Sequence, residues 1–164
     1  MGSRLAQTGL TRLVAATALL VASAMAAAAA CAPGVVELKG PRGTARFAVE
    51  LADTNATRAQ GLMFREKMAS SAGMLFVYDR PGRAMFWMKN TLIPLDMIFA
   101  DPTGKVLRVH ENAIPHDETP IDGGDGVFAV LEINGGLARR LGIGPGTLMR
   151  HPAFAPGPAA LPCD

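Results

Sequence analysis

Glycine and proline cut the chain after residue 30 into short runs, and this punctuation constrains its fold more than any other feature. Little of what lies between the breaks has a helical period. Ala45, Phe47, Val49 and Leu51 alternate with Arg46, Ala48 and Glu50, the period of a half-buried strand. Val35–Lys39, Met74–Val77 and Val127–Ile133 read as further strands. Asp79-Arg80-Pro81-Gly82 has turn chemistry, with Pro presetting one dihedral and Gly taking the left-handed one. It predicts a hairpin between Gly73–Tyr78 and Ala84–Met88. Asp101-Pro102-Thr103-Gly104 predicts a second hairpin, from Asp96–Ala100 to Lys105–Glu111. Thr57-Arg58-Ala59-Gln60 has capping-box spacing and predicts a short helix over Thr57–Phe64. Gly135–Leu141 predicts one or two helical turns ended by Gly142, and Asn112–Gly126 a polar loop. The fold class that follows is mainly β, a compact sandwich or barrel of short antiparallel strands with one or two short helices.

Residues 1–30 do not belong to that fold. Arg4 and Arg12 precede an apolar run from Leu13 to Ala30 that ends in small residues, the layout of a secretory signal. All 14 acidic residues lie after position 30, and only two of the 16 basic ones lie before it, so the remainder balances at zero formal charge. That balance argues against nucleic-acid binding, which needs a basic surface to displace counterions. No later segment is apolar and long enough to cross a membrane. The remaining roughly 130 residues suffice for one domain with a real core. The expected layout is a lead-in and short first strand over 31–43, a β-rich domain over 44–151 and an extended tail over 152–164. The two cysteines, Cys31 and Cys163, stand at opposite ends of this portion. In an oxidising compartment they are expected to pair. The alternative is a lipid anchor on Cys31, since Ala28-Ala29-Ala30-Cys31 approaches a lipobox with Ala28 where Leu is usual. Either way the protein is expected to be periplasmic or secreted.

The densest chemistry lies in Phe86-Trp87-Met88-Lys89-Asn90-Thr91-Leu92-Ile93-Pro94-Leu95-Asp96, which holds the only tryptophan. In an extended segment Met85 and Trp87 project to one face, Phe86, Met88 and Asn90 to the other. The functional reading is a groove floored by Trp87, with Lys89, Asn90 and Asp96 as polar contacts, Arg65 nearby and Glu132 completing the set. An aromatic platform beside fixed hydrogen-bonding groups suits a sugar or another small polar ligand. The bland reading is that Asn90-Thr91 caps a turn and that Asp96 pairs with Lys89 or Arg58, because a buried Asp must be paired or neutralise itself.

Other chemistries find less support. The methionines from Met63 to Met97 read as core filling rather than a copper site. The histidines lack zinc spacing, and the acidic residues from Asp117 to Asp125 match no calcium loop. Neither cofactor nor metal is expected. There is no nucleophile elbow and no phosphate-binding loop. Asp96 and Glu132 offer a carboxylate pair for a hydrolase, which stands as the alternative to binding. A structural or protein-interaction domain of the cell envelope is the third reading.

Several motifs together resemble a known family. They are Arg58 with Gly61-Leu62-Met63-Phe64-Arg65, then Gly73-Met74-Leu75-Phe76, the tryptophan segment through Asp96, and Leu131-Glu132-Ile133 with Gly135-Gly136. The chain from Thr44 to Met149 is similar to the bacterial and archaeal "domain of unknown function 192" family. The resemblance implies a single compact β-rich domain, often behind a signal sequence. It carries no agreed activity, substrate or catalytic residue. The chain departs from it at Gly142-Ile143-Gly144-Pro145-Gly146, where many members place an acidic residue after the late glycine. The expectation is a small-ligand binding or accessory module that recognises a small polar ligand or an envelope component.

Overall fold

The computed structural model describes residues 31–163, so the expected signal segment lies outside the described residues. Seven strands form one curled sheet, a half-barrel, in the order β5-β4-β6-β3-β2-β1-β7. The strands are β1 (Val35–Gly40), β2 (Gly43–Ala52), β3 (Ala72–Phe86), β4 (Leu95–Ala100), β5 (Val106–Ala113), β6 (Ile121–Asn134) and β7 (Leu148–Arg150). Two short helices, α1 (Asn55–Gln60) and α2 (Leu137–Leu141), follow β2 and β6. At one end the two edges of the sheet approach. The Val106 and Thr147 backbones bond at 2.8 Å and the Met149 N–H reaches the Gly104 carbonyl at 2.7 Å. Among the described residues no helix is long and apolar enough to cross a membrane.

The mainly β architecture follows the alternation in the sequence, but the details depart from it in several places. All pairings are antiparallel except β2 with β3, which run parallel because α1 carries the chain across between them. The turn expected at Asp79–Gly82 is a bulge inside one 15-residue strand, β3. Both halves of β3 pair with β6, Val77 opposite Ala129 and Gly82 opposite Val127, so the extra residues swell out of the ladder without reversing it. The loop expected over Asn112–Gly126 is shorter, because Ile121–Gly126 pair with the far half of β3. Helix α1 starts earlier than expected. Thr54 is its cap, accepting from the Thr57 N–H at 3.1 Å while the Thr57 hydroxyl accepts from the Thr54 N–H at 3.0 Å. The hairpin at Asp101–Gly104 forms as the sequence indicates, with Asp101 Oδ1 accepting from the Thr103 N–H at 2.8 Å.

The central strands are buried on both faces, and all six residues of β4 are buried. Ile98 and Ala100 join Leu131, Ile133, Phe47, Met149 and Phe154 in one core on one face of the sheet. Met97 and Phe99 join Met74, Phe76, Met88, Val130 and Leu62 in a second core on the opposite face. The tail is not extended at its start: Pro152–Phe154 make a 3₁₀ turn that buries Phe154 in the first core. Cys31 and Cys163 are joined in a disulfide with their Cα atoms 5.4 Å apart. The sulfur that a lipid anchor would need is therefore occupied by Cys163. His151 reinforces this closure: its Nδ1 accepts from the Ala153 N–H at 3.1 Å, so its Nε2–H donates to the Pro33 carbonyl at 2.9 Å.

Candidate functional site

The two buried carboxyls of the central ladder organise the site. In the β4–β6 pairing Asp96 stands opposite Ile133 and Met97 opposite Glu132. Directly opposed residues share a face, so Asp96 faces the first core and Glu132 the second. The hydrolase pair proposed from the sequence therefore does not form, because the sheet lies between the two groups.

Asp96 is 0% exposed. Its Oδ1 accepts from the Asn112 N–H at 2.7 Å and the Gly136 N–H at 2.9 Å, and its Oδ2 from the Ala138 N–H at 2.7 Å. The local chain is shaped for this. A bulge in β5 lets Asn112 turn inward at φ 55, and Gly136 takes φ 78, a conformation glycine adopts without strain. The Gly135 N–H meanwhile holds the Pro94 carbonyl at 2.9 Å. The motif residues Pro94, Asp96, Gly135 and Gly136 are thus one backbone clamp that seats α2. Asp96 has no opening to a ligand and no role for Lys89 or Arg58 as partners, contrary to both sequence readings of it.

Glu132 is also buried, at 4% exposure, yet among the described residues its carboxyl accepts no hydrogen bond and joins no ion pair. It lies between Met74 of β3 and Met97 of β4. Burial alone pushes its pKa up to about 8, so the group is a neutral acid near neutrality. No buried side-chain oxygen among the described residues is sealed away without a partner, so the Glu132 oxygens open into the space beside them. That space is a cleft of about 40 Å³ lined in part by Arg58, Phe86, Trp87, Lys89 and Thr91.

The walls of the cleft are fixed. Phe86 packs edge-on against Phe76 at 5.2 Å and against Phe99 at 5.8 Å between ring centroids, which anchors the end of β3. Trp87 then points outward, 48% exposed, and the Lys89 ammonium lies 5.0 Å over its ring. Across from them α1 supplies Arg58. One nitrogen of its guanidinium donates to the Asp53 and Val77 carbonyls, each at 2.7 Å, and the other to Asn55 Oδ1 at 2.6 Å. The guanidinium lies 5.4 Å from the centroid of the Tyr78 ring. Tyr78 has its pKa raised, first by burial and also by the Glu132 charge, while Arg58 opposes the shift.

Three of the six sequence candidates, Trp87, Lys89 and Glu132, come together here. Asp96 does not, as described. Arg65 is turned away and pairs with Glu50 at 2.7 Å. Asn90 is a latch: its carbonyl accepts from the Phe64 N–H at 2.8 Å, and both residues sit at positive φ, 53 and 63. That bond ties together the Met63-Phe64 and Lys89-Asn90 segments at the rim of the cleft, and it leaves Phe64 64% exposed. Arg58 and Tyr78 were not among the candidates. A larger cavity of about 610 Å³ lies along β5, but its charged groups already have partners. There Arg108 donates to the Asp122 carbonyl at 2.7 Å and Glu111 pairs with Arg139 at 2.6 Å. The smaller cleft holds the buried carboxyl that accepts no hydrogen bond and is the better candidate.

The model of the domain of unknown function 192 (DUF192) family, described as "Uncharacterized ACR", matches residues 36–151. The chain belongs to the DUF192 family. A crystal structure of a protein of unknown function from Novosphingobium aromaticivorans DSM 12444 is similar, with 47% identity and a TM-score of 0.70 over 71% of this chain and 83% of that one. A second, from Sinorhizobium meliloti 1021 and described as a "putative transcription regulator", shares 42% identity and a TM-score of 0.71 over 76% of this chain and 97% of that one. No curated protein matches. The DUF192 match begins after Cys31 and ends before Cys163, so the disulfide lies outside the family's matched region.

Proposed function

We propose that this DUF192 protein is a small-ligand binding or accessory module of the periplasm or the secreted space, and that its site is the cleft beneath Trp87. One observation carries the reading: Glu132 is a buried carboxyl with no partner, facing an opening flanked by Arg58, Lys89 and an exposed indole. A carboxyl whose ionisation is strongly perturbed by burial and that faces a cleft is a functional-site candidate. The cleft admits about one small polar group, so the body of a ligand lies outside it, against Trp87 and Phe64. A sugar presenting a single hydroxyl fits this description, as does any small polar molecule with one end group. The disulfide between Cys31 and Cys163 and the apolar leader both support an oxidising compartment. The name of the S. meliloti protein points towards DNA. Against that stands the zero formal charge of the chain after residue 30, which offers no net positive charge for a phosphate backbone.

The test is a thermal-shift screen of monosaccharides, small acids and amides against the protein and its Trp87→Ala and Lys89→Ala variants. Ligands that raise the melting temperature of the parent protein are expected to lose most of that shift in both variants. Equal shifts in parent and variants would remove this cleft from consideration.

A further inference from the structure

The charge around the cleft narrows the ligand class; this inference rests on the cleft being the binding site. Arg58 and Lys89 form no ion pair among the described residues. The guanidinium is held by two carbonyls and an amide oxygen, and the ammonium by an indole face. All of these partners are neutral, so both positive charges remain uncompensated. The other groups packed around Glu132 add nothing negative near neutrality. Strands β3 and β4 place Met74 and Met97 beside it, and β3 contributes the phenol of Tyr78. The cleft therefore combines two cations, one neutral carboxyl able to donate, and room for a single small group.

We infer that the cleft takes the carboxylate end of a small organic acid, with Glu132 donating its proton into a hydrogen bond and Lys89 and Arg58 supplying the countercharge. A neutral hydroxyl or amide would leave the two cations uncompensated, and an amine would meet like charge. An acid–carboxylate bond between Glu132 and the ligand shares one proton between two oxygens, and charge-assisted bonds of this type are short and strong. Since Glu132 ionises near pH 8, the same group that attracts the ligand repels it in alkali.

The only tryptophan is Trp87, so indole fluorescence reports on this site alone. Acetate, glycolate and their neutral isostere acetamide are titrated into the full disulfide-bonded protein at pH 6 and pH 9. Acetate and glycolate are expected to give a saturable change and acetamide none. Affinity for the acids is expected to fall about tenfold between the two pH values, the loss of protonated Glu132 over one unit above its pKa. Glu132→Gln keeps a neutral donor in place and is expected to abolish that fall, and Lys89→Gln to weaken acid binding at both pH values. Acetamide or a monosaccharide moving the Trp87 signal when acetate does not would overturn the acid class and leave the site standing. No response at Trp87 to any of these probes would overturn both.

Discussion

Asp96 and Glu132 are buried carboxyls on neighbouring strands, one position out of register, on opposite faces of the same sheet. Asp96 receives three backbone N–H bonds, shared between both of its carboxyl oxygens. Glu132 receives none and stays uncharged to about pH 8. The difference comes from what each face brings to it. On the first face the chain doubles back at Gly135-Gly136 and starts α2, so unsatisfied N–H groups are available where Asp96 stands. On the second face Glu132 meets side chains that have no donors to give, Met74 and Met97, and an opening. Burial alone thus says little about role; the number of partners separates a structural acid from one held ready.

The sharpest way to break this contrast is one chemical change made at both positions. Asp96→Ala removes three buried hydrogen bonds and leaves their N–H donors without a partner, at about 1–3 kcal/mol each, and is expected to destabilise the fold by about 4 kcal/mol or more. A urea titration reads this as a large drop in midpoint. Asp96→Asn is expected to rescue little, because one of its two ends presents N–H groups to a backbone N–H. Glu132→Gln should do the opposite. Between about pH 4.5 and about pH 8 the unfolded chain ionises Glu132 while the folded chain does not. The folded state binds more protons in this window, so the contribution is fully present below it and is lost as pH rises, at about 1.4 kcal/mol per unit. Above it the loss is complete. The glutamine variant is expected to gain on the parent protein steadily across that window. His151, whose burial lowers its pKa, gives the reverse slope below pH 6.5 in both proteins and cancels in the comparison.

Much of the fold was legible because short-range chemistry decides it. The Asp101–Gly104 hairpin closes through its own Asp101 side chain, so its sequence is sufficient. Asp79–Gly82 has equally good turn residues, yet it forms a bulge because both flanks of β3 pair with β6, 35 to 60 residues away in sequence. Partner choice across that distance leaves no local mark. The outward Trp87 and the inward Phe86 and Met88 follow from strand parity and were legible. The site was legible only in part. Glu132 stands out as an acid inside the apolar run Ala129–Ile133, and Trp87 and Lys89 as neighbours in one motif. Arg58 and Tyr78 were not, since they meet only because the parallel crossover sets α1 over β3. Asp96 misled for a related reason: its donors come from backbone, which has no sequence identity.

The smallest expected effect on stability falls at Trp87, and its smallness sharpens the comparison. Phe86, the last residue of β3, and Trp87, just beyond it, are adjacent aromatics with opposite exposure: Phe86 packs inward and Trp87 faces out. Phe86 bridges Phe76 and Phe99 in the second core, and truncating it would remove two edge-on contacts and leave a void. Trp87 is half exposed, and among the described residues its one aromatic or cation–π partner is the Lys89 ammonium, an interaction worth about 0.5–1 kcal/mol at an exposed site. Trp87→Ala is therefore expected to lower stability by no more than about 1 kcal/mol, while removing most of the surface a ligand would lie against. A urea midpoint that falls as far for Trp87→Ala as for Phe86→Ala would mean that the indole holds the fold, and that the cleft beneath it is a packing feature.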